Sequence, residues 1–365
     1  MELAAIQQAL TAEKLDGWLF YDFRQSNPIA YNVLSLSKAE LYTRRWFYLV
    51  PVRETPTALV SAVESHVLRS LPGTRRVFRT WQEMQAYLKE LLRPGMRIAM
   101  EYSPLNAIPY MSRVDGGTID LIRSFGIEVV SSANIAQRFE AQLTGEQVAS
   151  HREAGQRIIA AKDILFKELG DRLRANQPLD EYSVQQRFLT LLQQAGTVPD
   201  IPHVAVNANA SNPHYESTAA NHSPIQRGDL ILFDFWAHLP DPGAIYADYT
   251  WMAFAGTSEE IPHQPVEGRQ VDDVTRAVIA EVGYADYFIH RTGHNIGTVV
   301  HGNGANLDNY ETQDDRVLLP NTCCSVEPGI YLPEFGIRSE VNLLVFEHDA
   351  EITGVPPQQE ITPLL

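Results

Sequence analysis

The chain has 365 residues, a formal charge of −16 and a pI of about 5.1, and 44% of it is apolar. That length suits two domains with real cores, and so acidic a chain repels a phosphate backbone, which excludes a nucleic-acid partner. No run of about 18 apolar residues offers a membrane span, and Met1-Glu2-Leu3-Ala4 lacks the basic-then-apolar order of a secretory signal, so a cytoplasmic protein with no membrane partner is expected.

Along the first part of the chain, short apolar runs alternate with helical patterns. Gly17–Tyr21, Arg45–Val50, Thr57–Ser61, Arg97–Met100 and Ile127–Val130 read as strands, and Trp81–Leu92 and Asp115–Phe125 as helices. Strands alternating with helices predict an α/β domain over residues 1–140, in which nothing catalytic stands out. Thr144-Gly145-Glu146-Gln147 fits a capping box, in which Thr and Gln satisfy each other's exposed amides. Behind it Ile158, Ala161, Leu165 and Leu169 recur at helical spacing. A second helix is predicted over Asp180–Ala195, burying Val184, Phe188 and Leu192 and ending at Gly196. A second domain is therefore placed at residues 141–365.

After Pro199 the texture turns to strands. Leu230–Trp236 is almost wholly apolar with Asp234 in its middle; Tyr246–Met252 resembles it and carries Asp248. The loop between them holds Pro240, Asp241, Pro242 and Gly243, which suggests a hairpin-like pair with both acids on one face. Cys323–Tyr331 and Ile337–Phe346 read as a second strand pair carrying Glu327 and Glu340. Adjacent Cys323 and Cys324 cannot cross-link distant elements and read as small apolar residues of a buried strand.

An acid inside an apolar strand is costly unless paired or ligated. A salt bridge or a solvent-facing position explains one such acid; two matched pairs point to metal. Asp234, Asp248, His294, Glu327 and Glu340 supply four carboxylates and one imidazole, which suits two divalent cations side by side. Such cations lower the pKa of water from about 15.7 to roughly 7, so the reading is a dinuclear metallohydrolase. Gly293 and Gly297 flank His294 and would allow close backbone packing around it. His301 follows, and His214 is a candidate proton shuttle. Arg338, two residues from Glu340, is expected to pair with it and orient the acids. No GxxxxGK[ST], GxGxxG or GxSxG is present, and all five lysines lie at or before Lys167, which leaves the second domain without a Schiff-base lysine beyond its first helix.

Asn212-Pro213-His214-Tyr215, the two Asp strands, Gly293-His294-x-Ile296-Gly297 with Val300-His301, Val326-Glu327-Pro328-Gly329-Ile330-Tyr331 and Arg338-x-Glu340 together resemble, in pattern and order, the pita-bread metallopeptidases. These include prolidase, aminopeptidase P and methionine aminopeptidase, with creatinase as a metal-free relative. The resemblance implies an α+β chain: a C-terminal pita-bread fold, an antiparallel sheet with helices about a pseudo-twofold, after an N-terminal α/β creatinase-like domain. It implies that Asp234 chelates one metal and Asp248 bridges both, that His294 and Glu327 bind the other metal and that Glu340 bridges. Glu327 would take the proton of the attacking water, His301 would contact the substrate carbonyl, and His214 would serve the leaving nitrogen. Arg338 becomes a candidate for a substrate carboxylate. The implied substrate is a proline-containing dipeptide or short peptide, cleaved at the Xaa–Pro bond with Mn, Co or Zn, and the implied assembly is a homodimer. Two positions depart from the family: Trp251 stands where Arg is usual and Val341 where Asp is usual. An ion pair replaced by an apolar contact would explain both. These departures, with an extended 238–243 loop, leave room for a non-peptide substrate or a non-catalytic binding homologue.

Overall fold

The structure, a computed structural model, describes residues 1–37, 39, 42–213, 215–257, 272–347, 350–354 and 357–364. Its contacts divide it into two compact units, Met1–Glu140 and Ala141–Leu365.

The first unit is built on a mixed sheet of β1 (Gly17–Asp22), β2 (Trp46–Pro51), β3 (Thr57–Ser61), β4 (Thr74–Phe78), β5 (Arg97–Met100) and β6 (Glu128–Ser131), in the order β4-β3-β2-β1-β5-β6. Central β1 and β2 are buried along almost their whole length, as the apolar runs Gly17–Tyr21 and Trp46–Val50 require. Helices α1 (Leu3–Ala12), α2 (Pro28–Val33), α3 (Trp81–Leu91), α4 (Gly116–Ser124) and α5 (Ala133–Glu140) complete the unit. Edge strand β4 (Thr-Arg-Arg-Val-Phe) escaped the sequence reading because a half-exposed edge does not need an apolar run. Helices α1, α2 and α5 also went unread.

The second unit opens with α6 (Gly145–Arg174), whose N-cap Thr144 makes the expected capping box with Gln147. Short β7 (Leu179–Asp180) leads into α7 (Glu181–Gln194), capped by Asp180. Strands β8 (Val198–Pro199) and β9 (His203–Val206) both pair antiparallel with β11 (Leu230–His238), and β10 (Pro224–Ile225) pairs with β7. Strand β11 then pairs antiparallel with β12 (Ala247–Phe254) in one continuous register, Leu230 opposite Phe254 through Ala237 opposite Ala247. Two faces result. Phe233, Phe235, Tyr249 and Trp251 join the core that α6 and α7 cover, where Phe166 and Phe188 each place a ring centroid 4.9 Å from a sheet phenylalanine. Asp234, Asp248 and Thr250 lie on the other face, because side chains alternate along a strand.

After α8 (Asp272–Glu281), β13 (Asn295–Ile296), β14 (Thr322–Val326), β17 (Val341–Val345) and β18 (Ala350–Thr353) form an antiparallel sheet. The expected second strand pair is really two. β14 pairs with β17, while β15 (Gly329–Tyr331) pairs with β16 (Gly336–Arg338), and the break falls at Pro328, which has no N–H for a ladder. The last strand, β19 (Thr362–Pro363), runs parallel to β12. Cys323 and Cys324 are fully buried free thiols in β14, as expected. His151 ties α6 to the sheet, with Nδ1 2.7 Å from Tyr246 O and Nε2 2.9 Å from Thr353 Oγ1.

Candidate metal centre

Two backbone clamps bring the acid strands together. Asp248 N–H donates to Asn342 Oδ1 at 3.0 Å while Asn342 Nδ2 donates to Asp248 O at 2.6 Å. Glu340 N–H donates to Thr250 O at 3.3 Å. These bonds tie β12 to β17 across the two sheets and set Glu340 beside the Asp pair. On the other flank, His294 precedes β13, its N–H donating to Ser325 Oγ at 2.9 Å, and Ser325 Oγ donates to Glu327 Oε1 at 3.2 Å. Gly293 makes that approach possible: a Cβ there would lie 2.0 Å from Ser325 O. Gly297 has open space around it, so only the first of the two flanking glycines is required for packing.

Asp248, His294 and Glu340 place ligand atoms within 4.8 Å of one another, and all three are buried. His294 Nδ1 donates to Asn295 O at 3.2 Å, so the lone pair is on Nε2. That lone pair faces carboxylate oxygens, Glu327 Oε1 at 3.3 Å and Asp248 Oδ2 at 3.7 Å. Burial, then Arg291, pulls the His294 pKa down to about 4, which keeps it neutral and competent as a ligand. Asp248 and Glu340 are pushed well above the usual carboxylate range by burial first. The negative charges of Asp234 and Glu327 add to the effect at Asp248, and those of Asp248 and Glu327 at Glu340. Asp248 Oδ1 and Glu340 Oε1 are buried and, among the described residues, have no hydrogen-bond partner. Acceptors crowded around a point with no donor are the arrangement a cation neutralises, so these residues fit a divalent metal.

The other half of the cluster is balanced from within. Arg338 Nη2 pairs with Asp234 Oδ2, and Arg338 Nε lies 3.9 Å from Glu327 Oε2. The expected pairing of Arg338 with Glu340 is thus replaced by one with Asp234, because Thr250 stands between them. Thr250, fully buried, accepts from Arg338 Nε at 2.8 Å, and its hydroxyl lies 2.8 Å from Asp234 Oδ1 and 2.9 Å from Glu340 Oε2. Sequence reasoning missed its part in the site; the signal was its place two residues after Asp248, on the same strand face. It also missed His203, the cross-strand neighbour of Asp234, whose Nδ1 lies 3.9 Å from Asp234 Oδ2.

His301 lies tilted against His294, ring centroids 4.2 Å apart, and is exposed. His214 lies outside the described residues; its neighbours Pro213 and Tyr215 line a small cavity with Asn212, His203 and Arg338. Trp251 points away from the acids into the helix-side core, where the Lys162 ammonium sits 3.7 Å from its ring centroid. Val341 is half-buried opposite Val326 and is not part of that core. The expected apolar contact between the two departing residues is therefore not how this chain packs them: a cation–π contact with Lys162 occupies the Trp251 position.

Known proteins resemble this chain in sequence and in fold. The chain is 29% identical over 229 residues to the Xaa-Pro dipeptidase of Lactobacillus helveticus, covering 57% of this chain and 58% of the relative. It is 30% identical over 155 residues to the Xaa-Pro dipeptidase of Pyrococcus furiosus, covering 36% and 41%. The chain spans about half the length of the curated relatives it matches. Among solved structures, dipeptidase PepE of Mycobacterium ulcerans matches with a TM-score of 0.65 at 21% identity, over 99% of this chain and 96% of that one. A prolidase from Thermococcus sibiricus matches at 0.62 and 18%, over 99% and 98%. These likenesses show the fold, a pita-bread unit following an α/β unit. The model of metallopeptidase family M24 matches residues 149–267 and 259–347. That span covers more than half of the chain and includes each of the five acid and imidazole donors, and the chain belongs to metallopeptidase family M24.

Proposed function

We propose that this protein is a metal-dependent peptidase that hydrolyses the Xaa–Pro bond of dipeptides or short peptides. Two divalent cations would be held by Asp234, Asp248, His294, Glu327 and Glu340. The observation that carries the reading is that buried Asp248, His294 and Glu340 bring ligand atoms within 4.8 Å of one another in a family M24 chain, while Asp248 Oδ1 and Glu340 Oε1 lack a hydrogen-bond partner among the described residues. Asp248, His294 and Glu340 would hold metal together, with Glu327 beside His294 and Asp234 beside Thr250 adding carboxylates to the set. Oxygen and imidazole donors of this kind accept Mn, Co or Zn. Divalent cations there would lower the pKa of water to about 7 and polarise a peptide carbonyl.

The chain's own residues do the rest. Glu327, steadied by Ser325, is assigned the proton taken from the attacking water. His301, exposed beside His294, is assigned a hydrogen bond to the substrate carbonyl oxygen as charge develops there. His214 is assigned the proton delivered to the leaving nitrogen. Arg338 fixes Asp234 and lines the cavity beside Asn212 and Tyr215, the position from which it would meet a substrate carboxylate. Residues 1–140 are proposed as the creatinase/prolidase-like domain and 141–365 as the catalytic one. A cytoplasmic homodimer is the assembly the family resemblance supports.

The departures at Trp251 and Val341 give little weight to a non-peptide substrate, since Trp251 faces the core and not the acids. The test is a panel of Xaa-Pro and proline-free peptides assayed after loading with Mn, Co or Zn, with and without chelator. Cleavage confined to Xaa-Pro dipeptides indicates a dipeptidase, and cleavage of longer peptides at the first bond an aminopeptidase. A protein with verified bound metal and no turnover of any Xaa-Pro peptide would refute the reading.

A further inference from the structure

Far along the chain from every acid of the metal cluster, Glu181 is fully buried at the first turn of α7. Both of its oxygens are fully used. Oε1 accepts from Val206 N–H at 2.7 Å and Asn209 Nδ2 at 2.9 Å; Oε2 accepts from Tyr215 Oη at 2.7 Å and Ser223 N–H at 2.6 Å. Asn209 Nδ2 also donates to Ser223 Oγ at 2.9 Å, and Glu181 N–H donates to Ser223 O at 3.0 Å. One carboxylate thus joins the end of β9, the 3₁₀ turn Asn207–Ser211, Tyr215 and the segment before β10.

Those segments have little regular structure to hold them. Between Asn207 and Ser223 the described backbone bonds are mostly local turns, so a buried acceptor does what a ladder does elsewhere. The far side of the turn packs hard against β16: a Cβ on Gly336 would lie 2.0 Å from Ala210 O. Gly336 is two residues from Arg338, and Asn212, Pro213, Tyr215 and Arg338 share the small cavity beside Asp234. Displacing the turn therefore moves one wall of that cavity against Arg338.

We propose that Glu181 is a positioning residue that fixes the wall of the substrate pocket formed by Ala210, Asn212, Pro213 and Tyr215 and so sets substrate affinity without touching metal or substrate. This rests on the peptidase reading above. Glu181→Gln replaces an acceptor oxygen by an NH2 that faces two donors, and Tyr215→Phe removes only one of the four bonds. The experiment measures kcat and KM for an Xaa-Pro dipeptide, metal content by mass spectrometry, and amide hydrogen exchange over residues 207–213 in the metal-free proteins. In E181Q we expect KM to rise about tenfold or more, the mark of lost substrate binding, and kcat to fall as well, because the displaced segment carries His214, which is assigned the leaving-group proton. Y215F should shift KM in the same direction by less. Metal content should match wild type, and exchange over 207–213 should quicken. Unchanged KM in E181Q, or metal lost together with activity, would overturn the proposal. Should wild type itself turn over no Xaa-Pro peptide, the peptidase reading fails, and the exchange data judge Glu181 separately: unaltered protection of 207–213 in E181Q refutes the wall-fixing role, and selective loss supports it.

Discussion

Replacing Thr250 by Val tests whether the acid cluster is organised as described. Valine matches threonine in shape, so no cavity opens, and only the hydroxyl is lost. That hydroxyl accepts one bond from Arg338 Nε at 2.8 Å and has a single proton to give to either Asp234 Oδ1 at 2.8 Å or Glu340 Oε2 at 2.9 Å. Each bond involves a charged partner and is fully buried, so each is worth about 1.5–3 kcal/mol, and the pair, which is not additive, about 3 kcal/mol. At roughly 2–4 °C per kcal/mol for a domain of this size, chelator-treated T250V should melt about 6–12 °C below wild type. Asp234 and Glu340 both lose an orienting partner, so metal affinity should fall about 10–100-fold, the usual effect of removing a group that holds a ligand in place. Calorimetry with and without metal reads both quantities. Thr250→Ser keeps the hydroxyl and should recover most of the metal affinity. A T250V protein that binds metal within about twofold of wild type, where a tenfold loss is the minimum expected, would show that Thr250 does not orient the ligands.

Removing metal from the wild-type protein should lower its melting temperature, because a ligand at 100 times its Kd adds about 2.7 kcal/mol to the folded state; an unchanged melting temperature after verified removal contradicts the site. The raised pKa values of Asp248 and Glu340 set a direction with pH. Between their ordinary values near 4 and their raised folded values the metal-free folded state holds more protons than the unfolded one, so it loses stability as pH rises through that window. Metal must displace those protons, so binding should tighten with pH and release protons, read by isothermal titration in buffers of different ionisation enthalpy; binding without proton release would refute the assignment. Gly293→Ala puts a Cβ 2.0 Å from Ser325 O and should reduce both stability and metal binding, checked by melting and metal content. Trp251→Arg, which restores the family's usual residue, should destabilise by about 3–5 kcal/mol, because it buries a guanidinium against the Lys162 ammonium; a chemical-denaturation midpoint equal to wild type would show that Lys162 can move aside.

What could be read in the sequence was what one strand or helix decides alone. Asp234 and Asp248 announced themselves because a carboxylate inside an apolar run needs a reason, and the Thr144 capping box is a local motif. What could not be read depends on contacts between elements. Thr250 is an ordinary strand residue until Arg338, eighty-eight positions on, turns to it. Glu181 looks like a solvated acid in the first turn of a helix, and only the folded 206–223 segment shows that four donors reach it. Arg338 illustrates the same limit from the other side. Its spacing from Glu340 suggested an ion pair on one strand face, yet the guanidinium crosses to Asp234, since Thr250 separates it from Glu340 and Asp234 would otherwise be a second buried charge without a counterion. The cluster thus divides by how its charge is met: Arg338 balances the Asp234 side, while Asp248 and Glu340 are the acids that the proposed cations would neutralise. The residues easiest to find by sequence are the proposed ligands, and the residues that aim them emerge only once the chain is folded.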